Sequence, residues 1–98
     1  MNKRQYLMIE AIMTAPDGIT REEINNSLLT FGYPPLNRKR FFAELKQIRE
    51  STTLKIVSKD FGKNIWRYTI DIKDEADRNH VEHMYLLIAN LQVRGSVL

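Results

Sequence analysis

Two adjacent prolines, Pro34 and Pro35, constrain the fold most strongly, because they separate two segments that both have helical patterns. Proline lacks a backbone N–H and disfavours helical geometry in the residue before it. The preceding helix must therefore end near Phe31-Gly32, and the next helix begins at Asn37, a good N-cap residue. We predict a helix, a short rigid corner and a second helix in this part of the chain.

Two other helices start at capping boxes. Asn2 is followed by Gln5, and Thr20 by Glu23, so that each pair can satisfy free N–H groups at the beginning of a helix. The first helix is predicted over about residues 3–15. The second helix runs from Thr20 to the proline corner, and the third, from Asn37 to Glu50, follows that corner.

The residues after the third helix favour two strands and a last helix. Residues 54–58 and 64–70 are rich in β-branched and aromatic side chains, and Gly62 can adopt positive φ in a hairpin tip over residues 59–63. A last helix is predicted over about residues 75–92. The predicted fold is α+β and mostly helical. It is a winged helix-turn-helix, with three helices and a β-hairpin wing, and it has an additional C-terminal helix.

Composition excludes several classes of function. The chain has no cysteine, which rules out disulfides, thiol catalysis and cysteine-ligated zinc. No apolar run approaches the roughly 20 residues that span a bilayer, so we expect no membrane contact and a cytoplasmic location. His80 and His83 lack the partners of a metal-binding motif, and there is no Gly-rich phosphate loop. We therefore expect no metal, no cofactor and no enzymatic activity.

Basic charge is concentrated in the first seventy residues. Residues 1–70 contain twelve Lys and Arg against seven Asp and Glu, whereas residues 71–98 contain three against five. An anionic polymer would therefore contact the N-terminal part. We accordingly divide the chain into a DNA-binding domain at residues 1–70 and a linker or dimerisation helix at residues 71–98.

The third helix is expected to turn one side to the core and the other to solvent. At about 100° per residue, Phe41, Leu45 and Ile48 lie within about 40° and form the core side. The opposite side offers groups suited to the major groove of duplex DNA, which admits one helix. The predicted DNA-binding residues of this helix are Arg38, Lys39, Arg40, Ala43, Lys46 and Gln47. Phe42, on one flank, either packs under the wing or lies exposed near the groove.

Basic residues elsewhere suit the phosphate backbone. Lys59 and Lys63, near the hairpin tip, and Arg67, in the second strand, are predicted to contact phosphates without reading sequence. Arg21 is placed at the start of the second helix, where the helix end also favours phosphate. Duplex DNA is therefore the predicted partner.

The last helix is predicted to have an apolar side too large for one small domain to cover. Its residues are Val81, Met84, Tyr85, Ile88 and Leu91. We expect this side either to form a homodimer or to be covered by a further domain.

Several segments together resemble one family. They are Leu36-Asn37-Arg38-Lys39-Arg40-Phe41, Gln47-Ile48-Arg49-Glu50, Leu54-Lys55-Ile56, Trp66-Arg67-Tyr68-Thr69-Ile70 and residues 85–93. The chain is similar to the N-terminal winged-helix part of bacterial WYL-domain transcriptional regulators, although Phe42 stands where members often have a polar or basic residue. The resemblance implies DNA binding, a last helix that transmits or dimerises, and a C-terminal effector-sensing domain beyond Leu98.

Two alternative functions remain open at this point. In the first, the winged helix contacts protein through an apolar patch of Phe42, Phe61 and the last helix. In the second, Trp66, Tyr68 and Phe61 stack on the bases of single-stranded RNA. Binding of duplex DNA that weakens steeply with salt would distinguish DNA binding from the first alternative. A preference for duplex DNA over single-stranded RNA would distinguish it from the second.

Overall fold

The order of helices and strands is compatible with a winged helix followed by a C-terminal helix. The structure is a computed structural model, and it describes residues 1–63 and 65–93. The elements are α1 (Lys3–Met13), β1 (Ile19–Thr20), α2 (Arg21–Leu29), α3 (Arg38–Thr52), β2 (Ile56–Asp60), β3 (Trp66–Ile70) and α4 (Glu75–Val93). The predicted α+β class is confirmed. Two parts of the predictions lie outside the described residues, namely Asn64 as the first residue of the second strand and residues 94–98 of the linker.

Side chains cap the first three helices as predicted. Asn2 and Thr20 each accept a hydrogen bond from the backbone N–H three residues later, and the side chains of Gln5 and Glu23 accept bonds in return. Asn37 accepts a bond of 2.8 Å from a backbone N–H in the first turn of α3. The hydrogen bonds from the backbone and side chain of Thr20 lower the pKa of Glu23.

The helix ends differ from the prediction by a few residues. α1 ends at Met13, two residues early, and α3 continues to Thr52, beyond the predicted end at Glu50. In the last turn of α3, the hydroxyl of Thr52 donates to the carbonyl of Ile48 at 2.6 Å. α3 ends because Thr53 takes the left-handed conformation, with φ of 58°.

The sheet has three antiparallel strands in the order β1-β3-β2. β1 was not predicted, because two residues are too few to show alternation and their partner lies far along the chain. Ile19 pairs with Tyr68, and Thr20 pairs with Arg67. β3 therefore lies between β1 and β2, and it ties the hairpin to the start of α2.

The hairpin begins later than predicted. β2 starts at Ile56 rather than at Leu54, because the chain is still turning out of α3 there: the N–H of Leu54 donates to Oγ1 of Thr52 at 3.2 Å. Lys59 consequently lies within β2, paired with Arg67, and not in the tip. Gly62 has positive φ, 88°, as predicted for the turn.

The core forms where α1, α2 and α3 meet β3 and α4. Phe41, Leu45 and Ile48 of α3 are completely buried, as predicted. The ring of Phe41 meets that of Tyr68 edge-on, with 5.1 Å between centroids, so α3 packs directly on β3. The other buried apolar residues are Leu7, Met8, Ile9, Ala11, Ile12, Ile24, Leu28, Leu36, Leu54, Ile56, Met84 and Ile88.

α4 packs against α1. Near its start, Oδ1 of Asp77 lies 2.9 Å from Nζ of Lys55, which precedes β2. Their hydrogen bond raises the pKa of Lys55 and, with the backbone N–H groups of Lys73 and Asp74, lowers the pKa of Asp77. Although α4 is long, neither it nor any other helix in the described residues is apolar enough to cross a membrane.

Two side chains of α2, Asn25 and Arg21, hold the corner between α2 and α3 through Leu36. Nδ2 of Asn25 donates to the carbonyl of Leu36, and Oδ1 of Asn25 accepts from the N–H of Leu36, both at 3.0 Å. The amide of Asn25 thus pairs with the backbone as a neighbouring strand would. Leu36 itself is buried, so this pairing sets the direction in which the chain enters α3.

We expect Asn25→Ala to lower the free energy of unfolding by about 2 kcal/mol, because it removes the acceptor of the Leu36 N–H and one of the two donors to the Leu36 carbonyl, the other being Arg21. Chemical denaturation followed by circular dichroism measures the change. Asn26→Ala is the matched control, since Asn26 is the exposed neighbour in the same helix. Equal losses in the two variants would contradict the role assigned to Asn25.

Candidate nucleic-acid interface

The outward face of α3 consists of Lys39, Arg40, Ala43, Lys46 and Gln47, all of them exposed. The face exists because Phe41, Leu45 and Ile48 hold the opposite side of the helix in the core. Ala43 at its centre leaves room for a close approach to the helix backbone. Five of the six sequence-predicted residues of α3 thus share one surface, and the sixth, Arg38, lies on the flank over the ring of Phe42.

The cations of this surface are not neutralised. Within residues 1–63 and 65–93, ion pairs join Arg4 to Glu44, Lys55 to Asp77 and Lys73 to Asp71. Seven exposed cations of α3 and the hairpin are in none of them. Arg49 donates to the carbonyl of Ile56, and the other six are Arg38, Lys39, Arg40, Lys46, Lys59 and Lys63. Their charge therefore remains available to an anionic partner.

A buried polar cluster fixes α3 on α1. Glu44 pairs with Arg4 and accepts a hydrogen bond of 2.8 Å from Nε2 of Gln5. The same Nε2 donates to Oε1 of Gln47 at 2.8 Å. Gln47 is consequently oriented from within the protein, and its own amide N–H groups remain for a ligand. Glu44 was not predicted from the sequence. A carboxylate that borders the apolar side of a helix nevertheless indicates a basic or hydrogen-bond-donating side chain on a neighbouring element.

Arg49 joins α3 to the wing. Its Nε and Nη2 donate to the carbonyl of Ile56 at 3.0 and 2.9 Å. This fork fixes the first residue of β2 against the last turns of α3. The wing is therefore held at a defined position beside the outward face of α3.

Arg21 and Arg67, both predicted to contact phosphate, are half-buried and hold backbone carbonyls. Arg21 donates to Leu36 at 3.3 Å, and Arg67 donates to Gly18 at 3.4 Å. Arg67 also lies over the ring of Phe61, 5.4 Å from its centroid. These contacts position both guanidinium groups, as the ring of Phe42 does for Arg38.

The outward face also carries a charge that sequence reasoning left out. Glu50 is exposed and, at about 100° per residue, lies between Lys46 and Ala43 on the helical circumference, toward the C-terminal end. A carboxylate repels phosphate, but it can accept from the exocyclic amine of cytosine. The positive part of the face therefore covers the N-terminal two-thirds of α3.

An open groove of about 710 Å³ lies between α3, the start of α2 and the hairpin. Its lining includes Arg21, Arg38, Phe42, Ile65 and Trp66. Phe42 is 43% exposed, so it lies in this groove and is not packed under the wing. Arg38 lies over its ring, 5.7 Å from the centroid.

Tyr68 borders the same groove, but it belongs to the core. Burial raises the pKa of its hydroxyl, and the nearby arginines Arg21, Arg38 and Arg49 oppose that shift. Because the ring packs on Phe41, it cannot serve as the stacking surface that the RNA alternative assumed. Trp66 and Phe61 remain exposed.

The predicted interface on the last helix is corrected by the packing of α4. Met84 and Ile88 are only 6% and 3% exposed, because they enter the core. Val81 also packs on the core, and Leu91 is half-buried. Tyr85, in contrast, is exposed beside Leu86. The apolar side is thus largely covered by the domain itself.

No group of three His, Cys, Asp or Glu side chains that could hold a metal occurs in the described part of the chain. His80 instead lies 3.1 Å, through Nε2, from the hydroxyl of Thr53 at the end of α3. The contact joins α4 to the last turn of α3.

Comparison of the chain with protein-family models, with curated proteins and with solved structures finds no match in any of the three. The fold and the surface described above therefore provide the grounds for a function. The similarity to WYL-domain regulators stays a prediction from the segments that suggest it.

Proposed function

We propose that this chain binds double-stranded DNA in a sequence-specific manner, with α3 in the major groove. The observation that supports this most directly is the set of exposed, unpaired cations on α3 and the hairpin. A major groove admits one helix, and Lys, Arg and Gln can donate to the acceptors on base edges. Lys39, Lys46 and Gln47 are the groups on α3 best placed for this.

The attachment of α3 supports the same proposal. Sequence readout needs side chains held in a fixed register on the duplex. Here α3 is joined to α1 through Glu44, to the wing through Arg49 and to the preceding corner through Asn25. Lys59 and Lys63 on the hairpin would then meet phosphates beside the groove.

The biological role that follows is the DNA-binding module of a bacterial transcriptional regulator, located in the cytoplasm. The resemblance to WYL-domain regulators supports this role. In such a protein, α4 would connect the DNA-binding part to an effector-sensing domain, and Tyr85 and Leu86 would be available for contact with it or with a second copy.

We expect Lys39→Ala with Lys46→Ala to weaken duplex binding on the order of 50-fold at about 0.1 M salt, and to reduce the salt slope by about 2. A lysine in the major groove also neutralises phosphate charge and displaces roughly one counterion, so loss of two lysines changes both the affinity and the salt slope. Fluorescence anisotropy over a salt series measures them.

The control for this experiment removes the same charge elsewhere. Lys55→Ala with Lys73→Ala eliminates two lysines that are paired with Asp77 and Asp71. This variant should bind duplex DNA as the unmodified chain does. If the two double variants weaken binding equally, net charge accounts for the effect and the assignment of α3 is wrong.

A second candidate function, protein contact, is favoured by exposed apolar side chains. Leu29 and Phe31 at the end of α2, and Tyr85 and Leu86 on α4, are all more than half exposed. A protein-contact module would not bind duplex DNA at moderate salt, so the same titration decides between the two functions.

A further inference from the structure

The groove between α3 and the hairpin contains aromatic rings that duplex binding does not use. Phe42 and Trp66 are 43% and 47% exposed, and both line this groove. A base pair within a duplex presents only its edges to a protein, because its faces are stacked on neighbouring pairs. Exposed aromatic faces are instead the surfaces on which unpaired bases stack.

The charge in the groove suits the phosphate of such a nucleotide. Arg38 lies over one face of the Phe42 ring, so its guanidinium group is held within the groove. Arg21 is a second cation in the lining, and Glu22 is a carboxylate there. The positive charge therefore exceeds the negative charge among the described lining residues.

The dimensions of the groove agree with one nucleotide. A volume of about 710 Å³ is within the range of roughly 300–1,000 Å³ found for pockets that hold small-molecule ligands. The groove is open, as a site must be when its occupant belongs to a longer strand. Its lining comes from α2, α3 and all three strands, so it adjoins the helix proposed to enter the major groove.

We propose that this groove binds an unpaired nucleotide next to the duplex held by α3. The base stacks on Phe42 or Trp66, and the phosphate is held by Arg38 and Arg21. This inference rests on the proposed function, because it places the unpaired nucleotide beside bound duplex DNA. The preferred partner is then duplex DNA with a single-stranded extension, rather than a blunt duplex.

Fluorescence anisotropy with two labelled probes, a blunt duplex and the same duplex with a short thymidine overhang, tests the proposal. The overhang should tighten binding about tenfold, as one stacked base does. Phe42→Leu with Trp66→Leu keeps apolar bulk but removes both rings, and it should abolish the difference between the probes. Circular dichroism of each variant checks that the fold is retained.

Phe61→Leu is the matched control. Phe61 is another exposed phenylalanine beneath a guanidinium group, that of Arg67, but it does not line the groove. This variant should retain the tenfold preference. Equal binding of both probes by the unmodified chain, or a preference that survives in the double leucine variant, overturns the inference and leaves duplex binding intact. Failure to bind the blunt duplex overturns the proposed function as well.

Discussion

Phe41→Ala should lower the free energy of unfolding by about 4 kcal/mol, the largest loss we expect from one side chain. Phe41 is completely buried, and its ring packs edge-on against Tyr68 of β3. Alanine would leave a cavity between α3 and the sheet, where rigid elements on both sides limit collapse. Small domains have about 5–15 kcal/mol of stability in total, so this variant would be close to unfolding.

Denaturant titration followed by circular dichroism measures this loss. Phe31→Ala is the control, because Phe31 is 51% exposed after the end of α2 and its removal should change stability by less than about 1 kcal/mol. A loss for Phe41→Ala no larger than for Phe31→Ala would show that the ring is not a central element of the core.

Gly18→Ala should lower the free energy of unfolding by about 3 kcal/mol, because two effects combine at this residue. Gly18 has φ of 93°, a conformation that side chains rarely adopt. In addition, a Cβ built there would lie 2.8 Å from Cβ of Arg67, which is too close for two carbon atoms. The substitution would therefore push the start of β1 away from β3.

Two other glycines separate these effects. Gly32 and Gly62 also have positive φ, 85° and 88°, but a Cβ at either would meet no heavy atom within 4 Å. Their alanine variants should lose only the conformational part, about 1 kcal/mol each. Thermal unfolding of the three variants, compared side by side, measures the contribution of the close approach between β1 and β3. Equal destabilisation of the three alanine variants would mean that the close approach of β1 to β3 adds nothing to the loss at Gly18.

The residues that attach α3 are largely distinct from those proposed to contact DNA. Phe41, Glu44 and Arg49 hold the helix on the sheet, on α1 and on the wing. Lys39 and Lys46 are exposed and form no ion pair within the described residues. Substitutions of the two lysines should therefore affect binding without unfolding the domain, and the two kinds of measurement can be interpreted separately.

The elements that could be predicted are those whose signals lie close together in the chain. Each helix cap depends on two residues three positions apart, as with Asn2 and Gln5 or Thr20 and Glu23, so both partners appear in one short segment. The core side of α3 follows from the spacing of Phe41, Leu45 and Ile48. Its exposed basic side follows from the same periodicity.

Tertiary structure decided what depends on residues distant in sequence. Three such contacts join separate elements. Ile19 pairs with Tyr68, and Gln5 bonds Glu44 and Gln47. Met84 and Ile88 of the last helix are buried in the core. A local sequence pattern does not indicate which distant segment a residue will contact, because polar groups find their hydrogen-bond partners and apolar side chains become buried only when the elements pack together.

The two proline residues and the caps around them thus determined, by local sterics and short-range hydrogen bonds, that α2 and α3 are separate helices joined by a corner. The angle of that corner was decided by Asn25, Leu36 and the packing of α3 on β3. The exposure of Phe42 was decided in the same way, because whether a flank residue is covered depends on where the wing lies.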